Sequence, residues 1–137
     1  MKRLYVDTNI VLDLLARREP FYKSAAQIFS LADKKKLELS VNSLTFANTH
    51  YILSKLKSVR ESFLVLRRFK LLTQVLPLND KIINLALNNE SFKDFEDGLQ
   101  YYSALENEQD IIITRDVSGF KESKIPVMTP EEFLSSI

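Results

Sequence analysis

Short apolar runs alternate along this chain with longer stretches in which apolar residues recur every three or four positions. The short runs read as strands: Arg3–Val6, Leu37–Val41, Gln74–Leu76, Ile111–Ile113 and Val127–Met128. The longer stretches read as helices. Ile10–Ala16 makes a turn or two. Pro20 suits the beginning of the next helix, whose apolar stripe is Ala25, Ile28, Phe29 and Ala32. Asn42-Ser43 can cap a helix over Leu44–Leu56, and Val59–Phe69 is amphipathic in turn. Asn79 or Asp80 caps a helix through Leu87, Asp94–Glu106 forms another, and Pro130 opens the last. Ile111-Ile112-Ile113 has no polar break, as a strand covered on both faces requires. Strands of this length alternating with helices predict an α/β fold, a parallel sheet with helices on both faces. In such folds ligands bind beyond the carboxyl ends of the strands, so the residues just past each strand matter most.

Composition narrows the class without naming a function. The 137 residues suit one domain, taken here as 1–137, and are 45% hydrophobic and 27% charged. A chain of this size buries roughly 70% of its unfolded surface, enough for one complete core. Two Gly and four Pro argue against a loop-rich sandwich or a disordered linker, and no internal repeat is visible. The absence of Cys excludes a disulfide scaffold, a zinc finger and a thiol nucleophile, and fits a cytoplasmic protein. The opening MKRLYVD breaks its apolar run at Asp7, too soon for a signal peptide, and no run reaches the roughly 18 apolar residues of a membrane helix.

The net charge of +1 favours no partner, but its distribution is uneven. Lys55, Lys57, Arg60, Arg67, Arg68 and Lys70 crowd one segment with Glu61 as its only acid. Between Glu90 and Asp116, eight acids face two bases, Lys93 and Arg115. Two solvated helix faces explain this as well as a basic surface for nucleic-acid phosphates beside an acidic pocket for a cation.

The candidate chemistry lies at strand ends. Asp7-Thr8-Asn9 follows the first strand, and Thr114-Arg115-Asp116 follows Ile111–Ile113. If those strands are neighbours, about 5 Å apart, their carboxylates converge. Converging carboxylates repel unless a proton or cation lies between them, and hard ions such as Mg²⁺ or Mn²⁺ take such oxygen ligands. Helix capping by Asp7, Thr8 or Thr114 explains either motif taken alone. Asp97 shares a helical stripe with Tyr101, Ala104 and Leu105, so its carboxylate is at least half-buried and needs a partner, a metal or Arg115. Asp94 is positioned to cap that helix. Asn48 interrupts the stripe of Leu44 and Ile52, as either a bonded core amide or a group at the rim of the carboxylate pocket. His50, the single histidine, has no nucleophile signature or metal-ligand spacing and reads as an ordinary, partly buried residue. No glycine-rich phosphate loop occurs.

These residues resemble a known family. Asp7-Thr8-Asn9-Ile10-Val11-Leu12-Asp13 is similar to the opening signature of PIN domains, D-T-N, two hydrophobics, then L-D. Asp94-Phe95-Glu96-Asp97-Gly98-Leu99-Gln100-Tyr101 resembles the D-F-E-D-A-L-Q-Y segment of a bacterial branch. Ile112-Ile113-Thr114-Arg115-Asp116, followed by Phe120, resembles the family's ending. The likeness runs over essentially the whole chain. It implies a three-layer α/β/α sandwich with about five short parallel strands, and Mg²⁺- or Mn²⁺-dependent endoribonuclease chemistry. It also implies a toxin of the VapC-like branch, often dimeric and blocked by an antitoxin that reaches the active site. Carried over position by position, Asp7, Asp97 and Asp116 are the acids, with Thr8, Asn9 and Thr114 beside them. The family's usual second acid, a Glu within the third helix, is here Asn48. Either Glu96 or Asp94 makes up the charge, or activity is reduced, or the chain binds without cutting.

The expected function is thus metal-assisted hydrolysis of single-stranded or looped RNA, with the Lys55–Lys70 segment holding phosphates. The rival is a PIN-like domain that binds RNA or a partner protein without cleavage. A phosphotransfer receiver would need adjacent acids after the first strand and a Lys after the last, and a dehalogenase-type phosphatase would need D-x-D; neither pattern is present.

Overall fold

The computed structural model describes residues 1–92 and 94–137; Lys93 of the acidic segment lies outside them. Five strands form one parallel sheet: β1 (Arg3–Val6), β2 (Glu38–Asn42), β3 (Thr73–Leu76), β4 (Ile111–Ile113) and β5 (Val127–Met128). Their order is β3-β2-β1-β4-β5. Among the described residues, seven helices connect and cover them: α1 (Thr8–Leu15), α2 (Tyr22–Asp33), α3 (Ser43–Leu56), α4 (Val59–Lys70), α5 (Asp80–Leu87), α6 (Phe95–Glu106) and α7 (Pro130–Ser136).

The two-residue period of the strands divides the core into layers. Leu4, Val6, Leu39, Val41, Ile111 and Ile113 face one side, where Val11, Ala25, Ile28, Phe29, Phe69 and Phe133 from the helices meet them. Tyr5, Leu76 and Ile112 face the other side, against Phe92, Tyr101, Ala104 and Phe120. Ile112 thus belongs to one layer and its two neighbours to the other, as the unbroken isoleucine run requires. The result is a three-layer α/β/α sandwich. Leu99 joins Ile82 and Ala86 to fasten α5 onto α6.

Most ends obey their caps. Asn42 accepts from the Thr45 N–H to open α3, Ser58 from Glu61 to open α4, and Asn79 from Ile82 to open α5. Thr129 and Glu132 bond each other's backbone around Pro130 at the start of α7. The expectation for Pro20 needs correction. Residues before Tyr22 turn instead of spiralling, with Phe21 and Tyr22 both donating to the Arg18 carbonyl, and the helix begins two residues later.

The strand order creates the crevice. Chain growth moves outward from β1 through β2 to β3, then returns to the opposite side of β1 for β4 and β5. Such a reversal leaves an opening beyond the carboxyl ends of the two strands flanking it. Val6 pairs with Ile113 at that end, and the Asp7 N–H donates to the Ile113 carbonyl at 2.9 Å. Because a crossover helix runs antiparallel to the parallel strands, α6 delivers its first turn to the same edge.

Candidate active site

Asp7 anchors the crevice. It takes the position before the first residue of α1, but its side chain makes no capping bond. Its carboxylate, 5% exposed, instead accepts from Gln100 Nε2 at 2.9 Å and Thr114 Oγ1 at 2.7 Å. Charge-assisted bonds of this kind hold a buried carboxylate in one orientation. Thr114 is fully buried at the end of β4, and its hydroxyl oxygen also accepts from the Asp116 N–H at 3.0 Å. It positions both acids and caps no helix.

Gln100, 2% exposed, was not singled out from the sequence, yet it joins more of the site than any other residue. Its Oε1 accepts from the Thr8 N–H at 3.2 Å and from the Tyr5 hydroxyl at 3.3 Å, while its amide nitrogen serves Asp7. Thr8 Oγ1 lies 3.2 Å from Thr45 Oγ1, which extends the polar network into α3. Burial, and then the nearby Asp7 charge, push the Tyr5 hydroxyl well above its usual range, so it serves here as a neutral donor.

The first turn of α6 carries the other acids. Asp94 caps it by accepting from the Glu96 N–H. Asp97 is half-buried, and its carboxyl is pushed up to about 7 by desolvation first, then by the charges of Asp7, Asp94, Asp116 and Glu96. Glu96 is likewise raised, by burial first, against the lowering effect of a hydrogen bond from Asn48. That bond, Asn48 Nδ2 to Glu96 Oε1, is 2.9 Å long. Asn48 therefore stands at the rim of the carboxylate pocket, on the side of α3 that faces α6.

Asp116 is exposed and caps a short 3₁₀ turn, Val117–Phe120, accepting from the Gly119 N–H and the Ser118 hydroxyl. Gly119 links it to Asp97. A Cβ on that glycine would lie 2.7 Å from Asp116 Oδ2 and 3.1 Å from Asp97 Oδ2. Only a residue without a side chain leaves both carboxylates that space. The ends of β1 and β4 and the first turn of α6 thus bring Asp7, Asp116 and Asp97 near one another, with Asp7 and Asp97 lining the cleft and Asp116 meeting Asp97 at Gly119. Among the described residues, however, no three acidic or imidazole side chains are gathered tightly enough to hold a metal ion as they stand. Asp7 is held by Gln100 and Thr114, and Asp116 by its own turn.

Asp7, Thr8, Asn9, Asn48, Asp94, Glu96, Asp97 and Gln100 line a cleft of about 310 Å³, walled on one side by Leu12, Tyr51 and Ile52. The crowded carboxylates are an all-oxygen donor set of the kind hard divalent cations prefer. By residue type they suit such an ion, with Asp97 and Asp116 crowding Gly119 from two sides.

Two partnerships differ from expectation. Arg115 does not neutralise Asp97. It forms a two-pronged pair with the fully buried Asp13, Nε to Oδ2 at 2.7 Å and a second bond of 3.1 Å, and its guanidinium lies 3.8 Å from the centre of the Phe21 ring. The basic segment is also not one surface. Lys55 does not line the cleft but donates, at 2.6 Å, to the hydroxyl of Tyr51, which does. Lys57 and Arg68 flank a groove with Leu14 and Tyr22, whereas Arg67 and Lys70 flank another with Phe46 and Phe63; Arg60 is exposed on the first turn of α4. Helical spacing separates neighbours 67 and 68 by about 100°. His50 bonds Ser62 Oγ at 2.8 Å and stacks on Phe63, an ordinary half-buried role.

Comparison with known proteins agrees with this fold. The sequence profile of the PIN domain matches residues 3–118. The chain is 27% identical over 136 residues to Ribonuclease VapC1 of Aquifex aeolicus (strain VF5), covering 96% of this chain and 93% of that protein. Its fold is similar to that of a DNA-bound VapBC from Salmonella typhimurium (TM-score 0.71, 14% identity, 95% of this chain and 99% of that one). It is also similar to Mycobacterium tuberculosis VapC20, described as a Sarcin-Ricin loop cleaving toxin (TM-score 0.63, 14% identity, 80% of this chain and 86% of that one).

Proposed function

The chain belongs to the PIN-domain family, and on that premise we propose that it is a Mg²⁺- or Mn²⁺-dependent endoribonuclease, with Asp7, Asp97 and Asp116 as its catalytic and metal-holding acids. The observation that carries this reading is the closeness of three acids: Asp97 and Asp116 both crowd Gly119, and Thr114 bonds both the Asp7 carboxylate and the Asp116 N–H. A divalent cation at such acids makes a water easier to deprotonate and offsets the charge that builds on a phosphate under attack.

The chain's own residues do the positioning. Gln100 and Thr114 fix the Asp7 carboxylate in orientation. Thr114 ties Asp116 to the same strand end through its backbone. Asn9, exposed at the mouth of the cleft, is placed to meet a phosphate or ribose. Lys55 beside Tyr51 supplies a cation at the rim, and Lys57, Arg60, Arg67, Arg68 and Lys70 serve phosphates farther from it. An open cleft of this kind suits single-stranded or looped RNA, whose phosphates can enter in irregular geometry. The likeness to Ribonuclease VapC1 and to VapBC complexes supports a toxin held by a cognate antitoxin; a single cytoplasmic domain over 1–137 that can pair as a homodimer is part of the same proposal.

One observation favours a second reading, a PIN-like domain that binds RNA without cutting. Asn48 is neutral where the resemblance expects an acid. Incubation of the purified chain with structured RNA and Mn²⁺, beside Asp7→Asn and Asp116→Asn, separates the two. Cleavage by the parent that falls at least about 100-fold in both variants is the expected result. Equal cleavage by all three proteins would sink the acid assignment, and metal-independent binding without cleavage would favour the second reading.

A further inference from the structure

We infer that Glu96 is the fourth cation ligand of this chain, standing in for the acid that position 48 lacks; the inference rests on the nuclease reading above. Two acids were candidates for that role, and their surroundings separate them. Both line the cleft, but Asp94 is exposed, and its Oδ1 is committed to the backbone at the start of α6. Glu96 is half-buried, lines the cleft with Asp7 and Asp97, and is held by Asn48 at 2.9 Å.

The pair explains both residue choices. A glutamate at 48 would place two negative charges across that 2.9 Å contact, and like charges so close repel strongly in a partly buried setting. An asparagine there donates instead of repelling. Its amide occupies one oxygen of Glu96 and orients the carboxylate without neutralising it. The charge therefore moves from α3 to α6, across a 2.9 Å contact, while remaining in the same cleft. The count of acids facing the cation is kept, and the neutral residue becomes a positioning group for the charged one.

Mn²⁺ titration by calorimetry without RNA tests this apart from turnover. Glu96→Gln retains an oxygen that can accept from Asn48 and removes only the charge, so its fold, followed by circular dichroism, is expected to persist. Its Mn²⁺ affinity should fall at least about tenfold, the scale on which ligand-shell losses act. The swap Asn48→Glu with Glu96→Gln should recover affinity to within about threefold of the parent. A Glu96→Gln protein that binds Mn²⁺ like the parent, while Asp7→Asn does not, overturns the inference and leaves the nuclease reading standing. A swap no tighter than Glu96→Gln alone overturns it equally. A parent that binds no Mn²⁺ overturns both the inference and the reading beneath it.

Discussion

Asp7 is a buried carboxylate whose two oxygens are each gripped by a neutral donor, Gln100 and Thr114. Gln100→Leu, close in volume but unable to donate, should therefore reduce metal-dependent RNA cleavage by about 10–100-fold, the usual effect of losing a residue that orients a ligand. The same change strands the Thr8 N–H and the Tyr5 hydroxyl, so stability should fall by about 1–3 kcal/mol. Initial rates and a urea midpoint, measured on one preparation, read both effects; unchanged cleavage would remove Gln100 from the site. The sequence did hold a signal for this residue. Position 100 lies three after Asp97 and beside the buried Tyr101, so an amide there had to be satisfied internally. Attention to carboxylates alone passed over it. The three acids were legible because each follows a strand end or interrupts an apolar helical stripe. The partner of Arg115 was not legible, since Asp13 lies 102 residues away in sequence.

Elements were the most readable level, because a period of two or of three to four survives in any local window. Strand and helix positions agree with expectation to within a residue or two, and the displaced start of α2 marks where a turn at Arg18 overrides Pro20. Helix α6 carries a local conflict. Gly98 sits in its interior, where the resembling segment has Ala, and an added Cβ would meet Ala86 Cβ at 3.5 Å, ordinary contact. Gly98→Ala should thus stabilise the chain by about 0.5–1 kcal/mol, seen as a higher denaturant midpoint at unchanged slope. A lower midpoint would mean that the methyl is not accommodated between α5 and α6 as that contact distance implies. The loop after β4 is joined to α1 by Arg115 and Asp13, whose side chains are 31% and 1% exposed. Arg115→Leu leaves Asp13 charged and unpaired in the interior, a loss of about 2–3 kcal/mol once the partial solvation of the arginine is discounted. A midpoint within error of the parent would show that Asp13 is reached by water.

At the scale of the whole molecule, strand order decides everything about the site, and strand order is the least local property of a sequence. Nothing in Arg3–Val6 or Ile111–Ile113 states that they pair; the likeness to a family supplied that neighbourhood, and the sheet β3-β2-β1-β4-β5 realises it. The consequence is a molecule that concentrates acids from β1, β4 and α6 at one edge and bears their repulsion there. Asp97 registers this, with a carboxyl at about 7 against about 3.9 for an unfolded aspartate. A carboxyl raised on folding binds its proton more tightly in the native state. Its contribution to stability is full below about pH 4, declines as pH rises, and is gone above about pH 7. The metal-free chain should accordingly lose melting temperature between pH 5.5 and pH 8, and Asp97→Asn should flatten that slope. A divalent cation binds the ionised acids in competition with protons. Millimolar Mg²⁺ or Mn²⁺ should therefore raise the melting temperature distinctly at pH 8 and little at pH 5.5. Scanning calorimetry with and without the ion at both pH values checks this, and a cation effect of equal size at both would mean that the ion is held somewhere other than by these acids.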